Sequence, residues 1–196
     1  LTLEALDAAY GTGEVVVERV NDSGGALGDS GRLLLSAEVA RLEACFPQVW
    51  AVVHLSALGS APALRQFGFW LLNRAALAGG AITRPNENGV LLLIDPQARL
   101  VGLTLGYQLE PWLPEPELER VLAAARRDFQ RGQLAGGAVR VIRELTAALQ
   151  RSLQSAPVAA AGDGGVPTGP LAGLRRLRGG GQQSGRTTPN PTSPHE

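Results

Sequence analysis

The side chains that most often do chemistry are scarce in this chain. Its 196 residues include no lysine, one cysteine and two histidines, so all 18 basic residues are arginine. A Schiff-base lysine is excluded. Cys45 alone can form neither an intramolecular disulfide nor a thiolate metal cluster. What remains are carboxylates, an arginine and a tryptophan in segments that read as loops. Glu87, in Asn86-Glu87-Asn88-Gly89, and Glu115, in Pro114-Glu115-Pro116, could form a general acid–base pair. Loop glutamates are more often simply solvated, and Glu115 could instead favour the N-terminus of its own helix. Arg84 lies just ahead of Glu87 and could grip a phosphate through a charge-assisted fork, or be an ordinary exposed arginine. Trp112 could anchor a partner or pack against the body.

Two patterns look catalytic and fail on their context. Gly28-Asp29-Ser30-Gly31 copies the nucleophile motif of trypsin-like proteases, but His54 follows Ser30, the reverse of their chain order. A packed or surface histidine is the expectation for His54. The Gly-rich loop from Ser23 to Gly31 could cradle an anion ahead of a helix. Without lysine it cannot be a P-loop, and it reads as a flexible insertion.

The elements that must position these residues follow from hydrophobic period and punctuation. Val15-Val16-Val17, between Gly13 and the Asn21-to-Gly25 turn cluster, predicts a strand over 14–20. Ser36 is an expected N-cap for a helix reaching Phe46, where Pro47 stops it. Residues 48–55 form a second strand, and 61–78 a helix with Leu64, Phe67, Leu71 and Ala75 on one face. Val90 to Ile94 is apolar throughout, as suits a strand covered on both faces. Asp95-Pro96-Gln97-Ala98 turns the chain into a returning strand ending near Leu105. Helices over 115–131 and 138–153 complete the pattern, each with an apolar stripe. The fold class is α/β: a single α/β/α sandwich, with a mixed sheet, helices on both faces and one β-hairpin.

The run Asn88-Gly89-Val90-Leu91-Leu92-Leu93, a hairpin, then Gly106-Tyr107-Gln108-Leu109-Glu110 resembles the core of the TPM domain family. That family joins thylakoid-lumen proteins of photosystem II repair, bacterial envelope proteins and MOLO-type receptor modulators. Val20-Asn21-Asp22-Ser23-Gly24 is similar to the family's opening strand, which ends in Asp. Phe129-Gln130-Arg131-Gly132 resembles its Phe-Arg-x-Gly. The resemblance spans about residues 15 to 153. It implies an accessory domain placed outside the cytoplasm that acts on a membrane-associated protein partner. The implied pocket comprises Glu87, Asn88, Glu110, Trp112, Glu115 and Arg84.

The alternative that it implies is a metal-assisted phosphatase of phosphomonoesters. Ca2+ or Mg2+ would then be held by Glu87, Glu115 and Asp22. The chain departs from the family here, with Glu87 and Glu115 where Asp is common. Gln133 stands where an acid often follows Phe-Arg-x-Gly. Two carboxylates are thus displaced by a methylene and a third is lost, which leaves the acidic pocket degenerate.

Composition sets the outer bounds. With 44% hydrophobic residues and zero formal net charge, one well-packed domain over 1–154 is expected, with no nucleic-acid partner. No apolar run approaches the roughly 20 residues that cross a bilayer. The absence of methionine leads us to expect that the chain derives from a longer precursor. From 155 to 196 the sequence turns to Gly, Pro, Ser and Thr, a composition that cannot offset its ordering entropy and is expected to be disordered. Within that tail, Leu171 to Arg178 forms a small basic island.

Overall fold

The computed structural model describes residues 2–77 and 86–155. It opens with a helix that periodicity did not announce, α1 (Leu3–Tyr10), whose first turn is capped by the Thr2 hydroxyl accepting from Ala5 N. There follow β1 (Val15–Val17), β2 (Val20–Asn21), α2 (Gly28–Cys45), β3 (Trp50–Leu55), α3 (Ala61–Arg74) and β4 (Ala75–Leu77). A short 3-10 turn over Asn86–Asn88 leads into β5 (Gly89–Asp95), β6 (Leu100–Leu105), α4 (Glu115–Gln130) and α5 (Leu134–Ser155).

The main sheet runs β2-β3-β5-β6. Its first three strands are parallel, and β6 returns antiparallel to β5 through the hairpin. Every residue of β5 is buried, which explains why its sequence shows no alternation. Val90, Leu92 and Ile94 face a core shared with α2, α4 and α5. Leu91 and Leu93 face a second core with α1 and α3. The protein is therefore an α/β/α sandwich with a mixed sheet. β1 and β4 pair parallel in a small separate sheet.

Several boundaries differ from the sequence pattern, each for a tertiary reason. The expected strand over 14–20 is split between the two sheets. At the break Asn21 Nδ2 donates to Glu18 O (2.6 Å), and Arg19 forks onto Glu43 Oε2 at 3.0 and 2.8 Å. α2 begins at Gly28 rather than Ser36. Asp22 makes this possible by accepting from Ala26 N (2.9 Å) and Leu27 N (2.8 Å), which closes the loop just ahead of the helix. Gly28-Asp29-Ser30-Gly31 is thus a helical turn and not an insertion. α3 stops at Arg74, where β4 pairs with β1. α5 begins at Leu134 and not at 138, so it includes Gly136 and Gly137; a Cβ on Gly137 would lie 2.7 Å from the Phe129 ring, so glycine lets α4 and α5 close. The disorder expected for 155–196 falls outside the described residues apart from Ser155, the last residue of α5.

Candidate functional site

The loop between β6 and α4 carries the acids, and its shape starts from Gly106. Gly106 N donates to Gly89 O (2.8 Å), and Gln108 N donates to Glu87 O (3.1 Å). The chain ahead of β5 and the chain after β6 are thereby stapled together. A Cβ on Gly106 would sit 2.2 Å from the Glu87 carbonyl oxygen, so only glycine fits. Leu109 and Leu113, fully buried, pin the loop to the core from below. Between them, Glu110 and Pro111 are held at the surface. Glu110 is exposed, and Glu115 is exposed at the first turn of α4, beside the proline that opens the helix.

These two acids line an open groove of about 540 Å³ beside β6. Its floor is Leu103, Thr104 and Leu105; α3 contributes Arg65 and Phe69, and the α4 side contributes Leu113, Pro114 and Leu118. Arg65 and Phe69 reach it because α3 packs closely on β6. A Cβ on Gly68 would lie 2.3 Å from Thr104 Oγ1, and one on Gly102 would lie 2.4 Å from Leu64 Cδ2. Sequence reasoning passed over Arg65, Phe69 and Thr104. The available signal was the lone Gly68 within a helical pattern, which marks a close approach.

The other expected site residues lie elsewhere. Glu87 is half-buried in the 3-10 turn and joins the loop through its backbone carbonyl. Asn88 is buried, and its Oδ1 has no hydrogen-bond partner among the described residues. Trp112 is half-buried against the core, and its carbonyl accepts from Ser152 Oγ (2.6 Å), so it ties the loop to α5 and does not line the groove. Arg84 lies outside the described residues.

Asp22 stands at the other end of the sheet. It follows Asn21, which pairs with His54, whereas Gly89, two residues after Glu87, pairs with Trp50. At about 3.3 Å per residue the four-residue offset between these pairings is roughly 13 Å, and Asp22 and Glu87 lie beyond it on opposite sides. The implied metal set of Glu87, Glu115 and Asp22 is therefore not gathered, and both Asp22 oxygens already serve α2. Among the described residues, no group of three or more His, Cys, Asp or Glu side chains could hold a metal ion. Glu110 and Glu115 alone are too few hard oxygen donors for Ca2+ or Mg2+. The residues present do not fit the ion.

The protease-like pattern also dissolves. Ser30 is on α2, on the face of the sheet opposite to His54, whose ring packs against Phe67 at 5.3 Å. Burial pushes the His54 imidazole below its usual pKa, as expected of a packed histidine.

The TPM domain model matches residues 20–148. Among solved structures, the N-terminal domain of a protein from P. gingivalis aligns with TM-score 0.53 and 21% identity, covering 79% of this chain and 94% of that one. The N-terminal domain of the cg2496 protein from Corynebacterium glutamicum aligns with TM-score 0.50 and 18% identity, covering 80% and 95%. At these identities both show the shared fold alone. No curated protein matches the chain. The family match covers well over half of the sequence, and it includes Asp22, the β5–β6 hairpin and the Gly106-to-Glu110 loop: the chain belongs to the TPM domain family.

Proposed function

We propose that this is an extracytoplasmic accessory domain that binds a membrane-associated protein through the β6 groove. The observation that carries the reading is the groove's make-up. Most of its walls are apolar or aromatic, and its charged groups are few, exposed and of both signs. That mixture suits recognition of polypeptide, with Phe69 as an aromatic anchor and a polar rim. The resemblance to envelope and lumenal TPM proteins supports the extracytoplasmic placement. Among the described residues, no helix is long and apolar enough to cross a membrane.

The test is sedimentation of the protein with native membranes. The reading predicts saturable binding that is lost when the membranes are pre-treated with protease and weakened at least tenfold by Glu110→Arg/Glu115→Arg. Binding that protease does not touch would sink it.

The competing reading, a divalent-metal-assisted phosphatase, would need at least one hard ligand beyond Glu110 and Glu115. Calorimetry with Ca2+ and Mg2+ on wild type and Glu110→Gln/Glu115→Gln decides this point. Ion binding that disappears in the double variant would revive the enzyme and make phosphomonoester assays worthwhile.

A further inference from the structure

β6 ends the four-stranded sheet, and among the described residues no strand pairs with its outer edge. The register shows which backbone groups that edge offers. Gly106 N donates to Gly89 O, so these two form a hydrogen-bonded pair one step beyond Val90 and Leu105. Such pairs recur at every second residue of an antiparallel ladder. Leu91 with Thr104 and Leu93 with Gly102 therefore exchange bonds. Val101, Leu103 and Leu105 turn their N–H and C=O groups away from β5, and the last two lie on the groove.

This edge lacks the usual protections. Leu100-Val101-Gly102-Leu103-Thr104-Leu105 contains no charge and no proline, and its β5 register is unbroken by a bulge. Unpaired sheet edges of that kind invite another strand to pair. The groove also has the shape for one, with the Leu103-to-Leu105 end of β6 as its floor between α3 and α4. Phe69, 40% exposed on the α3 wall, is placed to pack on an incoming chain.

We propose that the groove takes one extended segment of the partner as a fifth strand on β6; this rests on the partner reading above and names its binding mode. Successive side chains of an added strand point to opposite faces. Those toward α4 meet Leu113 and Leu118, with Glu110 and Glu115 calling for a basic group. Those toward α3 meet Phe69 and Arg65, which calls for an acid. The partner segment is thus apolar and extended, with a basic side chain on one face and an acidic one on the other. Main-chain bonds supply affinity in this mode, and alternate side chains supply selectivity.

The probe is an eight-residue peptide of alternating valine and threonine bearing one arginine and one glutamate on opposite faces. It is titrated into the nitrogen-15-labelled protein and followed by NMR. Two further versions carry N-methyl groups on alternate amides, one in each phase. Strand addition predicts shifts at the amides of Val101, Leu103 and Leu105. One methylated phase should lose affinity at least tenfold while the other keeps it. Leu103→Pro, which removes an outward N–H without touching the β5 ladder, should abolish binding. Failure of the unmethylated peptide to perturb those amides at millimolar concentration, or equal binding by both methylated phases, overturns the proposal. Protease-sensitive membrane binding that Leu103→Pro leaves unchanged would overturn strand addition alone and leave the partner reading standing.

Discussion

At the residue scale, Gly106 and Glu38 show how single side chains set the frame of the groove. Gly106→Ala forces a methyl group against the Glu87 carbonyl, which cannot step aside without breaking the Gly106–Gly89 and Gln108–Glu87 bonds. We expect a loss of about 1–3 kcal/mol in urea unfolding, as for other overpacked sites; an unchanged midpoint would mean that the loop is not held there. By contrast, Glu87→Gln and Glu115→Gln should unfold as cooperatively as wild type, since among the described residues their carboxylates carry no hydrogen bond. Glu38, buried on α2, is opposed by desolvation, yet hydrogen bonds from Arg143 and Arg41 outweigh it and hold the carboxyl below its usual range. A folded pKa below the unfolded one adds stability that is complete above the unfolded value and is lost as pH falls. Glu38→Gln should therefore flatten the acid-side decline below about pH 4.3, the ordinary glutamate value. An identical decline in the variant would show that the bridge to α5 does not contribute. Asp95 acts in the same direction. Burial raises its pKa, but the N–H groups of Ala98, Gly59, Leu58 and Gln97 lower it further. The sequence marked this aspartate only as the opening of a turn.

At the scale of elements, β5 and the hairpin were legible because their cause is local. An apolar run without alternation, bounded by Asn-Gly and Asp-Pro, is what a doubly covered strand requires. Leu92 is fully buried there, so Leu92→Ala should cost about 2–5 kcal/mol in chemical denaturation. A cost under one would mean that the core collapses readily around the cavity. α4 was legible to within a residue for the same reason, since its proline, acids and stripe all lie within its own sequence. What could not be read depended on partners far along the chain. The early start of α2 needs Asp22. The division of β1 from β2 needs β4 and β3. The extension of α5 through Gly136 and Gly137 needs the Phe129 ring. Glycine argues against a helix locally, and packing overrode that preference.

At the scale of the molecule, the candidate site was half legible. Glu110 and Glu115 are five residues apart, on the loop and at the start of the helix it leads into, so nearness in sequence kept them on one groove. Asp22 and Glu87 are separated by the length of the sheet, because β2 and β5 run parallel and the two residues sit at opposite strand ends. No motif reports that distance. The α3 wall was hidden as well, since Arg65 and Phe69 gain their place only from the contact of Gly68 with Thr104 and Gly102 with Leu64. Put together, these positions make a groove between two helices on an open sheet edge, better suited to a polypeptide than to a cation. The most direct check is photo-cross-linking in native membranes from a reactive residue at Phe69, with exposed Leu33 on the opposite face as control. We predict one discrete protein adduct from position 69 that vanishes in Glu110→Arg/Glu115→Arg, and none from position 33. No adduct from 69, or equal adducts from both positions, would contradict the account.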